Sequence, residues 1–306
     1  MFNPPDTPYL AAMAQGVDPR WPKFSEVRPL SVDEYTIFKN NTRILLQMHR
    51  DLQVFLCVLM NYREYRSVLE SYNQQCGTQN GKTPSLLGGE TMMLNMNRLI
   101  MNMLASVRSF LDFTTINLDH RHGKESERYK TFKNETSALY DSIFAYRFLY
   151  RLRNFVQHCG MPVGKFDISI VYNSAEALQE DSRSMEFHFS RDSLLASNFD
   201  WGKVVRSELL RMPEAFPISP LISEMIAHVE KLQSSQIRAE LPIVYDSFQW
   251  LEKLALEASG SGGMPCVCIK TPSNHPEEEW NINIQPFPLE LMEQLRKSWH
   301  SVFGVS

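Results

Sequence analysis

The chain has 306 residues, of which 43% are apolar and 22% are charged, and its formal net charge is −4. This composition is typical of soluble globular proteins, and the length allows one large domain or two ordinary ones. The N-terminus lacks a basic start followed by an apolar segment, and the longest apolar run, Val54 to Met60, is too short to span a bilayer. We therefore expect a cytoplasmic protein with no membrane partner.

The five cysteines exclude two common classes of small domain. Their odd number and the absence of a CxxC pair argue against a disulfide framework and against a zinc ribbon. Cys266 and Cys268 are two residues apart, so a strand would place both thiols on one face. We expect buried structural cysteines there rather than a metal or redox site.

Positive charge is concentrated between residues 120 and 165. This window holds nine lysines and arginines and four acidic residues, so it carries a charge of +5 while the rest of the chain carries −9. The asymmetry indicates a polyanionic partner.

The N-terminal third begins with a proline-rich segment and continues as a long helix. Residues 1–30 show no periodicity, and we expect an extended N-terminal arm. Ser31 and Glu34 form the Ser-x-x-Glu pattern of a capping box, which predicts the start of a helix that ends near Tyr72. Residues 74–89 are polar and glycine-rich and are predicted to form a connection.

A second helix is predicted from about Glu90, because apolar residues recur at three- and four-residue spacing as far as Phe110. Many of these residues are methionines, which commonly fill irregular helical cores. Residues 118–126 then interrupt the pattern. His120 and His122 lie in this stretch without a third ligand nearby, so we expect a solvated turn rather than a metal site.

A third helical segment is expected to begin at Ser126 or a nearby polar residue and to run to Cys159, with a kink near Asn134. Gly160 and Pro162 predict its end, since glycine suits the left-handed position after a helix and proline cannot continue one. An N-terminal helical domain would therefore occupy residues 31–165.

The remaining residues, 166–306, are predicted to form an α+β region with a few short antiparallel strands. Pro242 is expected to kink or break a long helix, and residues 259–263 to form a flexible hinge. The predicted strands cover residues 166–172, 185–190, 266–270 and 279–285, and the predicted helices cover 190–197, 201–212, 219–258 and 288–303. The fold class is thus mainly α.

The helix before Gly160 crowds polar residues onto one face. On a helical wheel, four of them fall within about 60° of one another: Asn154, Arg147, His158 and Arg151. A broad apolar face lies to one side, and the remaining flank carries Arg153, Tyr146 and Tyr150.

These side chains have a chemical use together. Guanidinium groups bind phosphate through forked hydrogen bonds, and a histidine can take a proton from a ribose 2′-OH or give one to a leaving oxygen. An asparagine can orient either partner, and no metal is needed. A structural interpretation is also open, in which the arginines pair with acids on a neighbouring helix and the histidine interacts with the helix dipole.

The hexapeptide from Arg153 to His158 has the form Arg-Asn-x-x-x-His, which resembles the signature of the HEPN superfamily. The surrounding block, AYRFLYRLRNFVQHCGMPVG, is similar to bacterial HEPN-like proteins. The resemblance covers roughly residues 31–165 and implies a HEPN-like helical bundle for that part of the chain.

The resemblance implies a metal-independent endoribonuclease that needs no cofactor and acts on RNA as a homodimer, with the motif helices of two chains facing each other. Arg153 would stabilise the scissile phosphate, Asn154 would order the site, and His158 would handle the proton. Arg147, Arg151 and Tyr150 are expected to bind the RNA. Such enzymes leave a 2′,3′-cyclic phosphate and a 5′-hydroxyl, and commonly serve as toxins or in phage defence, with a cognate antitoxin or regulatory protein as a further partner.

The sequence departs from one HEPN subclass in the residues that follow His158. Toxins that act with a nucleotidyltransferase often carry a tyrosine shortly after the histidine, whereas Cys159 and Gly160 follow here, which argues against that subclass. Two alternatives to a ribonuclease stay open: a non-catalytic dimer that binds RNA or a nucleotide, and a structural helical protein whose Arg/His face is a seam of salt bridges. A dimer that places both copies of His158 in one open basic cleft would favour the ribonuclease, and burial of the same residues in pairs with acids would favour the structural protein.

Overall fold

The structure is a computed structural model that describes residues 7–14, 23–78, 86–172, 180–260, 262–272 and 280–303. The helices are α1 (Val32–Thr78), α2 (Leu86–His122), α3 (Glu127–Ser142), α4 (Phe144–His158), α5 (Arg191–Ala196), α6 (Lys203–Leu209), α7 (Ile218–Ser259) and α8 (Leu289–Phe303). The strands are β1 (Pro8–Ala14), β2 (Lys23–Pro29), β3 (Val163–Tyr172), β4 (Glu180–Ser190), β5 (Ala215–Pro217), β6 (Met264–Pro272) and β7 (Trp280–Pro286).

The mainly helical fold with a few short antiparallel strands is confirmed. The strands form two antiparallel sheets, one of four strands in the order β2-β1-β6-β7 and one of three in the order β3-β4-β5.

Among the described helices, none has an apolar stretch long enough to cross a membrane. The middle of the predicted connection, residues 79–85, and one residue of the predicted hinge lie outside the described residues.

The expected N-terminal arm contains two strands. β1 pairs with β2 and also with β6, where Tyr9 lies opposite Cys268. Residues Tyr9 to Ala12 are buried, so this short apolar run is part of a core. The prolines around it obscured the strand pattern, and its partner in β6 is more than 250 residues away in sequence. Local periodicity cannot show such a pairing.

The chain separates into two compact units, and the boundary does not fall at residue 165. One unit comprises Met1–Leu52 with Arg238–Ser306, and the other comprises Gln53–Ile237. The boundaries lie within α1 and α7. The predicted division followed the change from helices to strands, but β3, β4 and the residues after them share one hydrophobic core with α4.

In the first unit, the four-stranded sheet buries Leu10, Ala11 and Val267. The predicted capping box is confirmed at the start of α1. The Ser31 amide donates to Glu34 Oε2 at 2.9 Å, and the Glu34 amide donates to Ser31 Oγ at 3.1 Å. Pro242 lies inside α7, which the structure shows as one helix rather than two.

In the second unit, the predicted helix from Ser126 to Cys159 is interrupted, but not at Asn134. Ser126 caps α3 as expected, since its Oγ accepts from the Tyr129 amide at 3.2 Å. The break falls at Ile143, whose extended backbone (φ −108°, ψ 114°) ends α3 and precedes α4. Asn134 stays in regular helix. Neither glycine nor proline stands at the break, so no helix-breaking residue marks it in the sequence.

The cysteines give a direct test of the fold. Cys57 and Cys159 are exposed, whereas Cys76, Cys266 and Cys268 are buried, and all five are free. As the sequence predicts, Cys266 and Cys268 share one face of β6, with Sγ atoms 3.6 Å apart.

We expect a colorimetric disulfide reagent to modify two thiols rapidly in the native protein and the other three only after unfolding. Burial is the reason, because the reagent must reach the thiolate. A Cys57→Ser/Cys159→Ser double variant should have no rapid phase. Rapid modification of Cys266 or Cys268 in that variant would contradict the sheet arrangement.

Candidate functional site

The site is built on α4, whose strongly apolar face packs against the hydrophobic core and holds the helix in position. Phe148 and Phe155 are buried, and both rings stack on Trp201, with centroid separations of 5.7 and 5.3 Å. Phe148 also meets Phe189 and Phe216 of the three-stranded sheet edge to face. Aromatic packing of this kind fixes the rotation of a helix about its axis. The opposite face of α4 is therefore presented in a defined orientation.

That opposite face borders a cavity of about 430 Å³ enclosed by α2, α3 and α4. Lys133, Ser137 and Asp141, which lie on its rim, are exposed, so the cavity is accessible from solvent. It is lined by Leu111, Asp112, Thr115, Lys133, Thr136, Ser137, Tyr140, Asp141, Tyr146, Tyr150, Arg151 and Asn154.

Three tyrosines form one wall of the cavity. The ring of Tyr150 packs edge to face against Tyr140 at 5.7 Å and stacks on Tyr146 at 6.4 Å. The Arg108 guanidinium lies over the Tyr150 ring, 4.9 Å from its centroid, and donates to the Tyr150 hydroxyl. Arg151 Nε donates to the Tyr140 hydroxyl at 3.1 Å. These contacts hold the wall in place without a ligand.

The cavity is lined by two carboxylates and two cationic side chains, and one of the carboxylates is already paired within the protein. Asp112 accepts from Arg108 Nε at 2.7 Å, so its charge is compensated within the protein. Lys133 and Arg151 supply positive charge, and Asp141 supplies an exposed carboxylate. Burial, together with the neighbouring Tyr150, raises the pKa of Tyr146 well above its ordinary value. Tyr146 therefore stays protonated and can act only as a neutral polar group.

Arg147 does not take part in this face. Its side chain is 7% exposed, and its guanidinium binds Glu208 of α6 at 2.5 and 3.1 Å and also donates to the Tyr140 carbonyl. Hydrogen bonding to Glu208 raises the pKa of Arg147. The predicted RNA-binding role conflicts with this placement, because internal partners occupy the guanidinium. We assign Arg147 a structural role that ties α4 to α6.

Arg153 lies along its own helix. Its Nη1 donates to Gln157 Oε1 at 2.5 Å and to Asn154 Oδ1 at 3.2 Å. Its Nε is buried and has no hydrogen-bond partner among the described residues. The side chain is half-buried and does not line the cavity.

His158 is the last residue of α4 and is exposed. The Cys159 amide closes the final turn by donating to the Phe155 carbonyl at 2.8 Å. Gly160 then adopts φ 143°, a value that a side chain would strain, which confirms the predicted helix end. His158 stands one turn beyond Asn154 on the same side of the helix, so the imidazole lies past the cavity rather than in its wall.

The structure thus divides the six predicted site residues into three groups. Tyr150, Arg151 and Asn154 line the cavity, Arg153 and His158 lie outside it on α4, and Arg147 is internal. Sequence reasoning missed the contribution of α3, including Lys133, Thr136, Ser137, Tyr140 and Asp141. A signal was present: α3 is a polar helix of 16 residues in which only Phe132 is buried. A helix with so little apolar surface leaves a polar face for another use.

The chain matches no protein-family model, no curated protein and no solved structure.

Proposed function

We propose that the protein is a HEPN-type endoribonuclease that cleaves RNA without a metal. The observation that carries the proposal is the position of His158, exposed at the end of α4 and one turn beyond Asn154, next to a polar cavity with a tyrosine wall. An exposed imidazole at a helix end can reach a bound phosphodiester, and Asn154 can orient it.

The reaction would proceed through the ribose 2′-hydroxyl. His158 takes the 2′ proton, the 2′ oxygen attacks the adjacent phosphorus, and the bond from phosphorus to the 5′ oxygen breaks. The leaving oxygen then gains a proton, which gives a 2′,3′-cyclic phosphate and a 5′-hydroxyl. A general base of this kind contributes a rate factor of about 10² to 10⁴.

Arg153 would stabilise the charge that develops on the phosphate. Its bonds to Gln157 and Asn154 both use Nη1 and lie at the surface of α4. Exchange of these two bonds for phosphate oxygens would present a guanidinium fork to the substrate. Arg151, in the cavity wall, would bind a neighbouring phosphate.

We further propose that the enzyme acts as a homodimer. The reaction uses both a base and an acid, and α4 provides one histidine. A second copy of α4 facing the first would supply the other. The free state of all five cysteines is in keeping with a reducing compartment, and we propose the cytoplasm as the place of action.

One observation favours a second candidate function, a non-catalytic dimer that binds RNA or a nucleotide. Arg147 is held by Glu208, Arg153 by Gln157 and Arg151 by the Tyr140 hydroxyl, so all three arginines of α4 already have protein partners. Such a protein would bind RNA through Arg151 and the tyrosines without cleaving it.

The experiment that separates these candidates is incubation of labelled single-stranded RNA with the purified protein in EDTA, beside an all-deoxy strand of the same sequence. We expect cleavage of the RNA and none of the DNA, since the mechanism requires the 2′-hydroxyl. Binding of a folded dimer to RNA without cleavage would favour the second candidate. Cleavage of both strands would contradict the mechanism.

A further inference from the structure

We propose that the cavity between α2, α3 and α4 binds an unstacked guanine base. The inference rests on the proposed function in one respect, because it takes the base to belong to the RNA substrate. The cavity itself is complete within one chain, and its lining residues all lie in the second compact unit. Binding can therefore be measured without cleavage.

Size and position suit a base. The volume of about 430 Å³ falls within the range of small-molecule sites. Asn154 lines the cavity, and His158 follows it by one turn, about 6 Å along the helix axis. That separation is of the order of the distance between a base and the phosphate of its own nucleotide. A base held in the cavity would thus bring its phosphate towards His158.

The tyrosine wall suits an aromatic ring. Proteins that read single-stranded RNA stack splayed bases on aromatic side chains and bond to their Watson–Crick edges. Tyr140 and Tyr150 are half-buried, so part of each ring can contact a ligand, while Tyr146 is buried behind them. The Arg108 guanidinium over Tyr150 keeps that ring in place.

The hydrogen-bonding groups of the cavity determine which of the four bases it would bind. Asp112 Oδ2 already accepts from Arg108, so we assign recognition of the base to the exposed carboxylate of Asp141. A carboxylate has two acceptor oxygens, and the Watson–Crick edge of guanine offers two adjacent N–H donors, on N1 and N2. Adenine, cytosine and uracil place a single donor group beside an acceptor, which would face a carboxylate oxygen unfavourably. Lys133 would bind the phosphate of the same nucleotide.

The test is the affinity of the full chain for the four nucleoside 3′-monophosphates, measured by calorimetry. These ligands contain no phosphodiester, so the result does not depend on cleavage. We expect the guanine nucleotide to bind at least tenfold more tightly than the other three. Asp141→Asn should abolish that preference by replacing one acceptor oxygen with a donor.

A bulky substitution tests the location. Ser137→Trp places a large ring at the exposed rim of the cavity and should reduce binding of the guanine nucleotide by at least tenfold. Ala138→Trp is the matched control, because Ala138 is exposed on the same helix but does not line the cavity. It should leave the affinity within twofold of the original protein.

Each outcome decides one claim. Equal affinity for the four nucleotides, or no binding, would overturn the guanine site even if the protein cleaves RNA. Guanine binding that survives Ser137→Trp would place the ligand elsewhere and would also overturn the proposal. Selective binding by a protein that does not cleave RNA would support the cavity assignment and contradict the ribonuclease.

Discussion

Replacement of His158 by alanine is expected to lower the rate of RNA cleavage by about 10² to 10⁴, the usual contribution of a general base or acid. The side chain is exposed, so its removal creates no cavity in the core. RNA affinity should change less than twofold, since in the proposed mechanism the histidine acts on a proton and the arginines bind the phosphates. Single-turnover cleavage and filter binding would measure the two effects separately.

His120→Ala provides the matched control for this variant. His120 is also exposed and lies in the last turn of α2, so both substitutions remove a histidine near a helix C-terminus. The helix-dipole contribution lost, about 0.3–1 kcal/mol, is therefore similar in the two variants. An equal loss of cleavage in both would show that the effect is not specific to α4 and would contradict the assigned role of His158.

The second large effect concerns stability. Arg147→Ala should lower the free energy of unfolding of the second unit by about 3 kcal/mol, because it leaves the Glu208 carboxylate and the Tyr140 carbonyl without their donor. Urea unfolding followed by tryptophan fluorescence should show a midpoint lower by about 1 M.

Two further variants separate the ion pair from packing. Arg98→Ala removes an arginine whose partner, Glu64, is about half exposed, and it should cost less than about 1 kcal/mol. The double variant Arg147→Met/Glu208→Leu should recover part of the lost stability, since apolar side chains replace both charges. A stability loss for Arg147→Ala no larger than that for Arg98→Ala would contradict the structural role of Arg147.

The features that the sequence predicts well are those with local causes. The capping box at Ser31 and Glu34, the N-cap at Ser126 and the glycine stop at Gly160 each depend on residues within about four positions. The structure places all three as expected. The antiparallel strands β3 and β4 contain the two alternating segments that the sequence predicts, residues 166–172 and 185–190.

The features that the sequence did not predict depend on distant residues. β1 joins the four-stranded sheet by pairing with β6, more than 250 positions away, and the break at Ile143 occurs without a glycine or proline at that position. The helical wheel placed Arg147 on the polar face, but its long side chain reaches Glu208, 61 positions further along. A wheel gives the direction of a Cα–Cβ bond and not the partner that a flexible side chain finds.

Only the part of the candidate site that lies on α4 can be predicted from the sequence, because the other part depends on which helix packs opposite α4. Tyr150, Arg151 and Asn154 were identified from the sequence of α4 alone, and all three line the cavity. The opposite wall belongs to α3, and nothing in the sequence of α4 indicates which helix will face it. The proposed role of Asp141 could therefore be inferred only once α3 and α4 were seen to enclose a common space.

The central claim is that RNA is cut through its own 2′-hydroxyl at the end of α4. Its most direct test is the chemistry of the new ends, determined by mass spectrometry of fragments produced in EDTA by the original protein and by the His158→Ala variant. The proposal predicts 2′,3′-cyclic phosphate and 5′-hydroxyl ends from the original protein and almost no fragments from the variant. Fragments with 3′-hydroxyl and 5′-phosphate ends, or equal cleavage by the variant, would contradict it.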